Sequence, residues 1–394
     1  MKYIVIVGDG MADYPVEKHG GKTPLETANK PNIDMLAKLG RLGIIKTVPD
    51  GMPPDSGVAN LSILGYDPVL YFTGRGPLEA GAFNVPVGDN DIIFRCNLVT
   101  VKDGILVDYS AGHVTNEEAR ELLNAVSQLG VGEYFVGVSY RHIFLLKNQE
   151  INVGCSPPHS ITGQPIKEHM IGPDGGEIGK KLNELMLKSY EILSKHPINL
   201  RREREGKNPA NMIWLWGPGK KPKLEPFEQK YGLKGGVISG IILIKGIGNY
   251  AKMRVIEVPG ATGYYDTNYE GKADYALKAL EEGLDLIYIH VEAPDEAGHA
   301  GDFDQKVRTI EDLDKRLLGR ILNRVDMENV KIMLLPDHPT PIERRMHMPD
   351  PVPVVVYSPK KKGDGLRFSE TEARKGSLGF IYGPDLMRLF ISRL

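Results

Sequence analysis

The run Tyr3-Ile4-Val5-Ile6-Val7-Gly8-Asp9-Gly10 decides the fold class. Its unbroken apolar stretch over residues 3–7 reads as a strand buried on both faces, the kind that parallel sheets require. Asp9 follows at the carboxyl end of that strand, where α/β proteins place their sites. Working outward, Pro31 just inside a helix start and Gly40 just past its end bracket a helix carrying Ile33, Leu36, Ala37 and Leu39. Residues 42–48 read as the next strand. A proline-rich loop over 49–55 then delivers the chain to Ser56, at a helix N-cap ahead of Val58, Leu61 and Leu64.

The C-terminal third repeats this grammar. Residues 273–282 read as a helix closed by Gly283, and 286–291 as a strand. Val307, Ile310, Leu313, Leu317, Ile321 and Val325 recur at three- and four-residue steps, which predicts one long amphipathic helix over 304–324. Strands follow at 332–335 and 352–356. The alternation predicts an α/β fold built on a doubly wound, mostly parallel sheet covered on both faces.

The middle differs. From about 85 to 202, hairpin-like strands at 92–101 and 105–109 flank Lys102-Asp103-Gly104, with helices at 117–129 and 177–195. This predicts an α+β domain, 86–204, inserted into an α/β domain formed by 1–85 and 205–394. The charged run 201–207 would be the return hinge, with re-entry at 211–216.

Across 394 residues, 49 Lys+Arg oppose 51 Asp+Glu for a net charge of −2, so nothing global points to nucleic acid or an anionic membrane as partner. With 41% hydrophobic and 25% charged residues, the composition is that of a soluble globular protein. No apolar run approaches the ~18 residues that would span a bilayer. The N-terminal strand carries no cleavage signal, and Cys96 and Cys155 lack metal-type spacing, which together place the chain in a reducing cytoplasm.

Chemistry concentrates after the strands. Asp9 follows the first, Asp295 and His299 follow 286–291, Asp337 and His338 follow 332–335, and His347 lies in the next loop. Each alone reads as a turn or cap residue. Together they offer two mixed oxygen and nitrogen shells suited to Mn2+ or Zn2+, with Mg2+ the alternative where carboxylates dominate and no thiolate is present. A pair of divalent ions is the clamp that phosphoryl displacement uses. Ser56 is the candidate nucleophile: a serine beside a divalent cation is activated without a histidine base, and a helix N-terminus favours an incoming phosphate.

The segments Val7-Gly8-Asp9-Gly10, Ser56-Gly57-Val58-Ala59-Asn60-Leu61-Ser62-Ile63-Leu64-Gly65-Tyr66-Asp67-Pro68, Gly260-Ala261-Thr262-Gly263, His290-Val291-Glu292-Ala293-Pro294-Asp295-Glu296-Ala297-Gly298-His299 and Pro336-Asp337-His338 resemble the archaeal-type cofactor-independent phosphoglycerate mutases, members of the alkaline phosphatase superfamily. The resemblance implies an alkaline phosphatase-like sheet with the inserted domain as a substrate-binding lid. It implies one ion on Asp9, Ser56, Asp337 and His338, a second on Asp295, His299 and His347, and Mn2+ ahead of Zn2+ or Mg2+. Ser56 would take the phosphoryl group from one hydroxyl of glycerate and return it to the other, with no 2,3-bisphosphoglycerate required. Gly57 departs from the pattern, because family members carry an acidic residue after the serine.

By the same resemblance the lid supplies cations to a small phosphorylated substrate: His113, Arg141 with His142, and Arg201, Arg202 and Arg204, while Lys245 matches a lysine placed near the nucleophile. His113 would also act as proton donor. Two other readings stand beside this one. Asp108-Tyr109-Ser110-Ala111-Gly112-His113, Pro157-Pro158-His159-Ser160-Ile161-Thr162-Gly163 and Asn208-Pro209-Ala210-Asn211-Met212-Ile213-Trp214-Leu215-Trp216 look most like a sub-branch proposed to act as homoserine kinase. A non-catalytic, metal-stabilised binding protein would keep the ligands but has no need of Ser56.

Overall fold

A computed structural model of the chain describes residues 1–83, 85–151 and 153–392. In chain order its strands are β1 (Lys2–Gly8), β2 (Arg41–Lys46), β3 (Ile92–Lys102), β4 (Ile105–Asp108), β5 (Glu133–Val138), β6 (Arg141–Leu146), β7 (Met212–Gly219), β8 (Gly235–Ile238), β9 (Arg254–Val255), β10 (Leu286–Val291), β11 (Val330–Leu335), β12 (Val352–Tyr357) and β13 (Gly379–Tyr382). The chain divides into two compact units, Met1–Phe72 with Lys223–Leu394, and Thr73–Pro222.

The first unit is built on an 8-stranded sheet in the order β13-β2-β12-β11-β1-β10-β8-β9. β1 pairs in parallel with both β10 and β11, and only β12 runs against its neighbours. Ile4 and Ile6 of β1 join a core with the helices Pro31–Leu39 and Tyr269–Glu281, while Val5 and Val7 on the opposite face are fully buried too. That double burial is what the unbroken apolar run predicted. The helix expected over 304–324 is instead Phe303–Asp312, a widened π turn at Leu313–Leu318 and a last turn at Gly319–Leu322. In the π turn, Asp314 accepts the Ile33 N–H at 2.6 Å and the Asn32 Nδ2 at 2.8 Å. Its carboxylate thus caps the start of Pro31–Leu39, where the helix dipole favours negative charge.

The second unit carries a 5-stranded antiparallel sheet, β4-β3-β6-β5 with β7 paired to β3. The β3 to β4 turn places Asp103 and Gly104 at φ 51° and 77°, the left-handed pair that a two-residue hairpin needs. The sequence reading set the seams at 85/86 and 204/205; the compact units meet at 72/73 and 222/223. Two contacts account for the difference. β7 lies against β3 from Met212 to Gly219. The helix Arg75–Ala80 packs so closely on β3 that a Cβ at Gly76 would come within 2.5 Å of the Arg95 amide nitrogen.

Candidate active site

Register explains why the first unit's functional groups meet. Val7 of β1 stands opposite His290 of β10 on one side and Leu335 of β11 on the other, so the residues that leave these strands emerge level with one another. Asp9 leaves β1, and Asp337 and His338 leave β11. β10 leads into the helix Ala293–Ala300, which carries Asp295 and His299 one turn apart on one face. Ser56 is the first residue of the helix Ser56–Ile63. Its expected role as N-cap belongs instead to Asp55, whose carboxylate accepts the Gly57 N–H at 2.7 Å and leaves the Ser56 hydroxyl facing the cluster.

His338 Nε2 lies 3.2 Å from Ser56 Oγ, 3.4 Å from Asp9 Oδ1 and 3.6 Å from Asp337 Oδ2. In the second set, His299 Nε2 is 3.2 Å from Asp295 Oδ2 and 2.9 Å from His347 Nε2, and His347 Nε2 is 3.4 Å from Asp295 Oδ1. The rings of His338 and His347 stack with centroids 4.0 Å apart, so the sets are neighbours.

The carboxylates feel opposite environments. Burial, then the negative charges of Asp337, Asp295 and Glu292, push the Asp9 carboxyl well above its ordinary range. Burial also raises Asp337. At Asp295 burial acts in the same direction but is outweighed by His347 and His299, which hold its carboxyl well below that range. His299, lowered by burial, is pushed up to about 9 by Asp295. Asp9 Oδ1 is buried without a hydrogen-bond partner. Converging oxygen and nitrogen donors around an unneutralised carboxylate fit a borderline divalent cation. Among the described residues, three groups each bring their ligand atoms within 4.8 Å of one another: Asp295, His338 and His347; Asp9, His290 and Asp337; and Asp9, Glu292 and Asp295.

Several neighbours escaped the sequence reading. His290 is fully buried, with Nε2 3.2 Å from Asp9 Oδ2; a histidine inside an otherwise apolar strand was the available signal. Asn60 donates to the Ser56 carbonyl at 2.8 Å and to Asp337 Oδ2 at 2.9 Å, orienting the carboxylate. Its place one helical turn after Ser56 could have marked it. Lys245, which the sequence reading did name, donates to Glu257 at 2.6 Å from the helix Ile242–Tyr250.

In the second unit the proposed substrate cations separate by environment. Asp108 accepts bonds from Ser110, Gly112 and Asn208 and folds residues 108–113 into a tight loop, with Ala111 and His113 at φ 49° and 52°. Arg202 is buried beneath it: Nη2 donates to the carbonyls of Ala111 and Gly112, Nη1 to Glu118, and Nε to the Asn208 carbonyl. His113 and Arg141 are exposed and both touch Tyr140, with ring centroids 5.9 Å apart for His113 and the Arg141 guanidinium 4.5 Å over the tyrosine ring. Arg201 pairs with Glu118, and Arg204 donates to the Leu200 carbonyl. His142 is buried, accepts the Gly137 N–H and is lowered by burial to about 3.

A family profile described as 2,3-bisphosphoglycerate-independent phosphoglycerate mutase matches residues 37–199. A Methanosarcina barkeri protein of that name is 50% identical over 399 residues, covering 99% of each chain. One of Methanothrix thermoacetophila is 50% identical over 396 residues and 100% of each. Among solved structures, a Pyrococcus horikoshii protein superposes with a TM-score of 0.84 at 32% identity, over 99% of this chain and 96% of that one. A cofactor-independent phosphoglycerate mutase of Thermoplasma acidophilum superposes with a TM-score of 0.65 at 29% identity, over 99% of each.

Proposed function

Because the chain belongs to the 2,3-bisphosphoglycerate-independent phosphoglycerate mutase family, we propose that it interconverts 3-phosphoglycerate and 2-phosphoglycerate through a phosphoserine on Ser56, with no 2,3-bisphosphoglycerate supplied. The observation that carries this reading is the Ser56 hydroxyl, 3.2 Å from His338 Nε2 at a helix N-terminus amid buried carboxylates and imidazoles. Asp9, Ser56, Asp337 and His338 would hold one divalent cation and Asp295, His299 and His347 a second, a donor set suited to Mn2+ ahead of Zn2+ or Mg2+. When bound, such ions draw charge from the phosphoryl oxygens and favour the serine alkoxide.

Ser56 Oγ gives up its proton and attacks the phosphorus of 3-phosphoglycerate. The bond from Oγ to phosphorus forms as the bond from phosphorus to O3 breaks, and O3 takes up a proton to leave as the glycerate hydroxyl. Attack by O2 of glycerate then breaks the bond to Oγ, forms 2-phosphoglycerate and returns a proton to Ser56. Asn60 keeps Asp337 in place throughout. His113 is assigned the proton given to O3 and taken from O2, Arg141 the bidentate hold on the substrate carboxylate, and Lys245 a place near the nucleophile.

The test is incubation of metal-loaded protein with 3-phosphoglycerate, followed by 31P NMR, and separately with ATP and homoserine. Interconversion without 2,3-bisphosphoglycerate is expected, and Ser56→Ala should lower kcat by at least about a thousandfold while metal binding largely persists. Robust ATP-dependent phosphorylation of homoserine with no interconversion would overturn the substrate assignment. Near-normal turnover by Ser56→Ala would exclude the phosphoserine.

A further inference from the structure

We propose that Thr340 is a positioning residue that fixes the tautomer of His338 and couples the two ligand sets through one hydroxyl, an inference resting on the reading of those sets as metal-binding. Thr340 is fully buried between them. Its Oγ1 donates to Asp295 Oδ1, in the second set, and lies 3.3 Å from His338 Nδ1, in the first. A hydroxyl has one proton to give. The Asp295 carboxylate, which also faces His299 and His347, accepts that proton. Oγ1 can then only accept from the imidazole, so His338 Nδ1 carries the hydrogen and Nε2 presents its lone pair. Nε2 is the nitrogen that faces Ser56 Oγ, Asp9 Oδ1 and Asp337 Oδ2. Hydrogen bonds of this kind, made by the far nitrogen of a ligating histidine, set ring orientation and ligand basicity.

The threonine is itself clamped. Its carbonyl accepts from Lys306 Nζ at 2.9 Å, and the same buried ammonium donates to the Ala12 carbonyl at 3.1 Å and to Asp13 Oδ2 at 2.8 Å. One lysine thus ties the segment after β1 to the segment after β11. Glycines let both segments close in: a Cβ at Gly10 would lie 2.5 Å from Thr340 Oγ1, and one at Gly298 only 2.3 Å from its carbonyl oxygen. The hydroxyl therefore has little freedom to turn away from its two partners.

The experiment titrates Mn2+ into metal-free wild type, Thr340→Ala and Thr340→Ser. It is read by bound-ion stoichiometry, by long-range 1H–15N spectra of the metal-free proteins and by steady-state kinetics. Wild type should bind two ions and show His338 as the Nδ1–H tautomer. Thr340→Ala should lose that tautomer, weaken both ions by about 10–100-fold and lower kcat more than it raises KM, while Thr340→Ser stays within about threefold of wild type. If the alanine variant does not fold, Thr340→Val reports on the same quantities at native volume. Wild-type affinity at both positions in a folded hydroxyl-less variant, or weakening confined to one position, would overturn the proposal. Fewer than two ions on the wild-type chain would overturn the underlying ligand reading, an outcome seen before any variant is made.

Discussion

Asp9 and Asp295 are both buried carboxylates in one cluster, and the protein treats them in opposite ways. Asp9 faces other carboxylates and the buried imidazoles of His290 and His338, with Oδ1 unpartnered and its acid form favoured. Asp295 faces two imidazoles and keeps its charge. The first set therefore keeps its Asp9 carboxyl in the acid form until a cation takes the proton's place, whereas in the second the carboxylate is already ionised against raised histidines. Burial decides this: desolvation pushes His290 and His338, the imidazoles beside Asp9, below the ordinary value, whereas at His299 and His347 burial is outweighed by Asp295, which raises both. A cation entering the first set displaces a carboxyl proton; one entering the second displaces protons from imidazoles.

The sharpest way to break this comparison is to neutralise each carboxylate. In the metal-free protein Asp9→Asn replaces a buried carboxyl that already favours its neutral form with a neutral amide and should leave Tm the same or slightly higher. Asp295→Asn strands two imidazoles without their counter-charge and should lower stability by about 2–4 kcal/mol. Both variants should bind fewer than two ions and lose most activity. Calorimetry of the two metal-free variants checks the signs. Shifts of the same sign and size would show that the sets are electrostatically alike.

A smaller effect contrasts the arginines of the second unit. Arg141 is exposed over Tyr140, and Arg202 is buried with its nitrogens engaged by Glu118 and three carbonyls. Arg141→Ala should raise KM for 3-phosphoglycerate about tenfold with Tm and ion stoichiometry unchanged. Arg202→Ala should lower Tm and disturb KM only through the loop that presents His113. Steady-state kinetics beside thermal melts separate the two, and an Arg141→Ala variant with unchanged KM and kcat would remove that residue from the substrate assignment.

These contrasts mark where the sequence was legible. The strand ends could be read because a doubly buried strand leaves a long apolar run, and the run stops where Asp9, Asp295 and Asp337 begin to matter. Arg202 could not be told from Arg141, because its burial depends on the 108–113 loop folding over it, a contact 90 residues away along the chain. The re-entry expected at 211–216 falls on β7, which pairs with β3. Strand pairing leaves no local mark: Trp214 would be buried in either sheet, and only its register against Asn97 decides. Thr340 and Asn60 are ordinary polar residues whose meaning comes entirely from what stands opposite them. Even the cap was misplaced by one residue, since Asp55 and Ser56 are both good N-caps and the proline-rich approach chooses between them.

The smallest effect is a pH slope, and it tests whether the second set is balanced by protons at all. His299 is raised to about 9 by Asp295, against an ordinary value of 6.5. A histidine raised on folding contributes stability that is fully present below its unfolded value and is lost as pH climbs through the folded one. Metal-free protein should therefore melt at progressively lower temperature between pH 6.5 and 9. Because the His299 side chain is 40% exposed, the loss is screened to about 1 kcal/mol, a shift of only a few degrees. With Mn2+ present the slope should flatten or reverse, because ligation requires the neutral imidazole and grows stronger as the proton leaves. His299→Asn should reduce the metal-free slope to the part that His347, also raised by Asp295, contributes. A melting temperature unchanged from pH 6.5 to 9 in the metal-free wild type would mean that Asp295 is not paired with a protonated histidine, and the contrast with Asp9, which is equally buried, would fall.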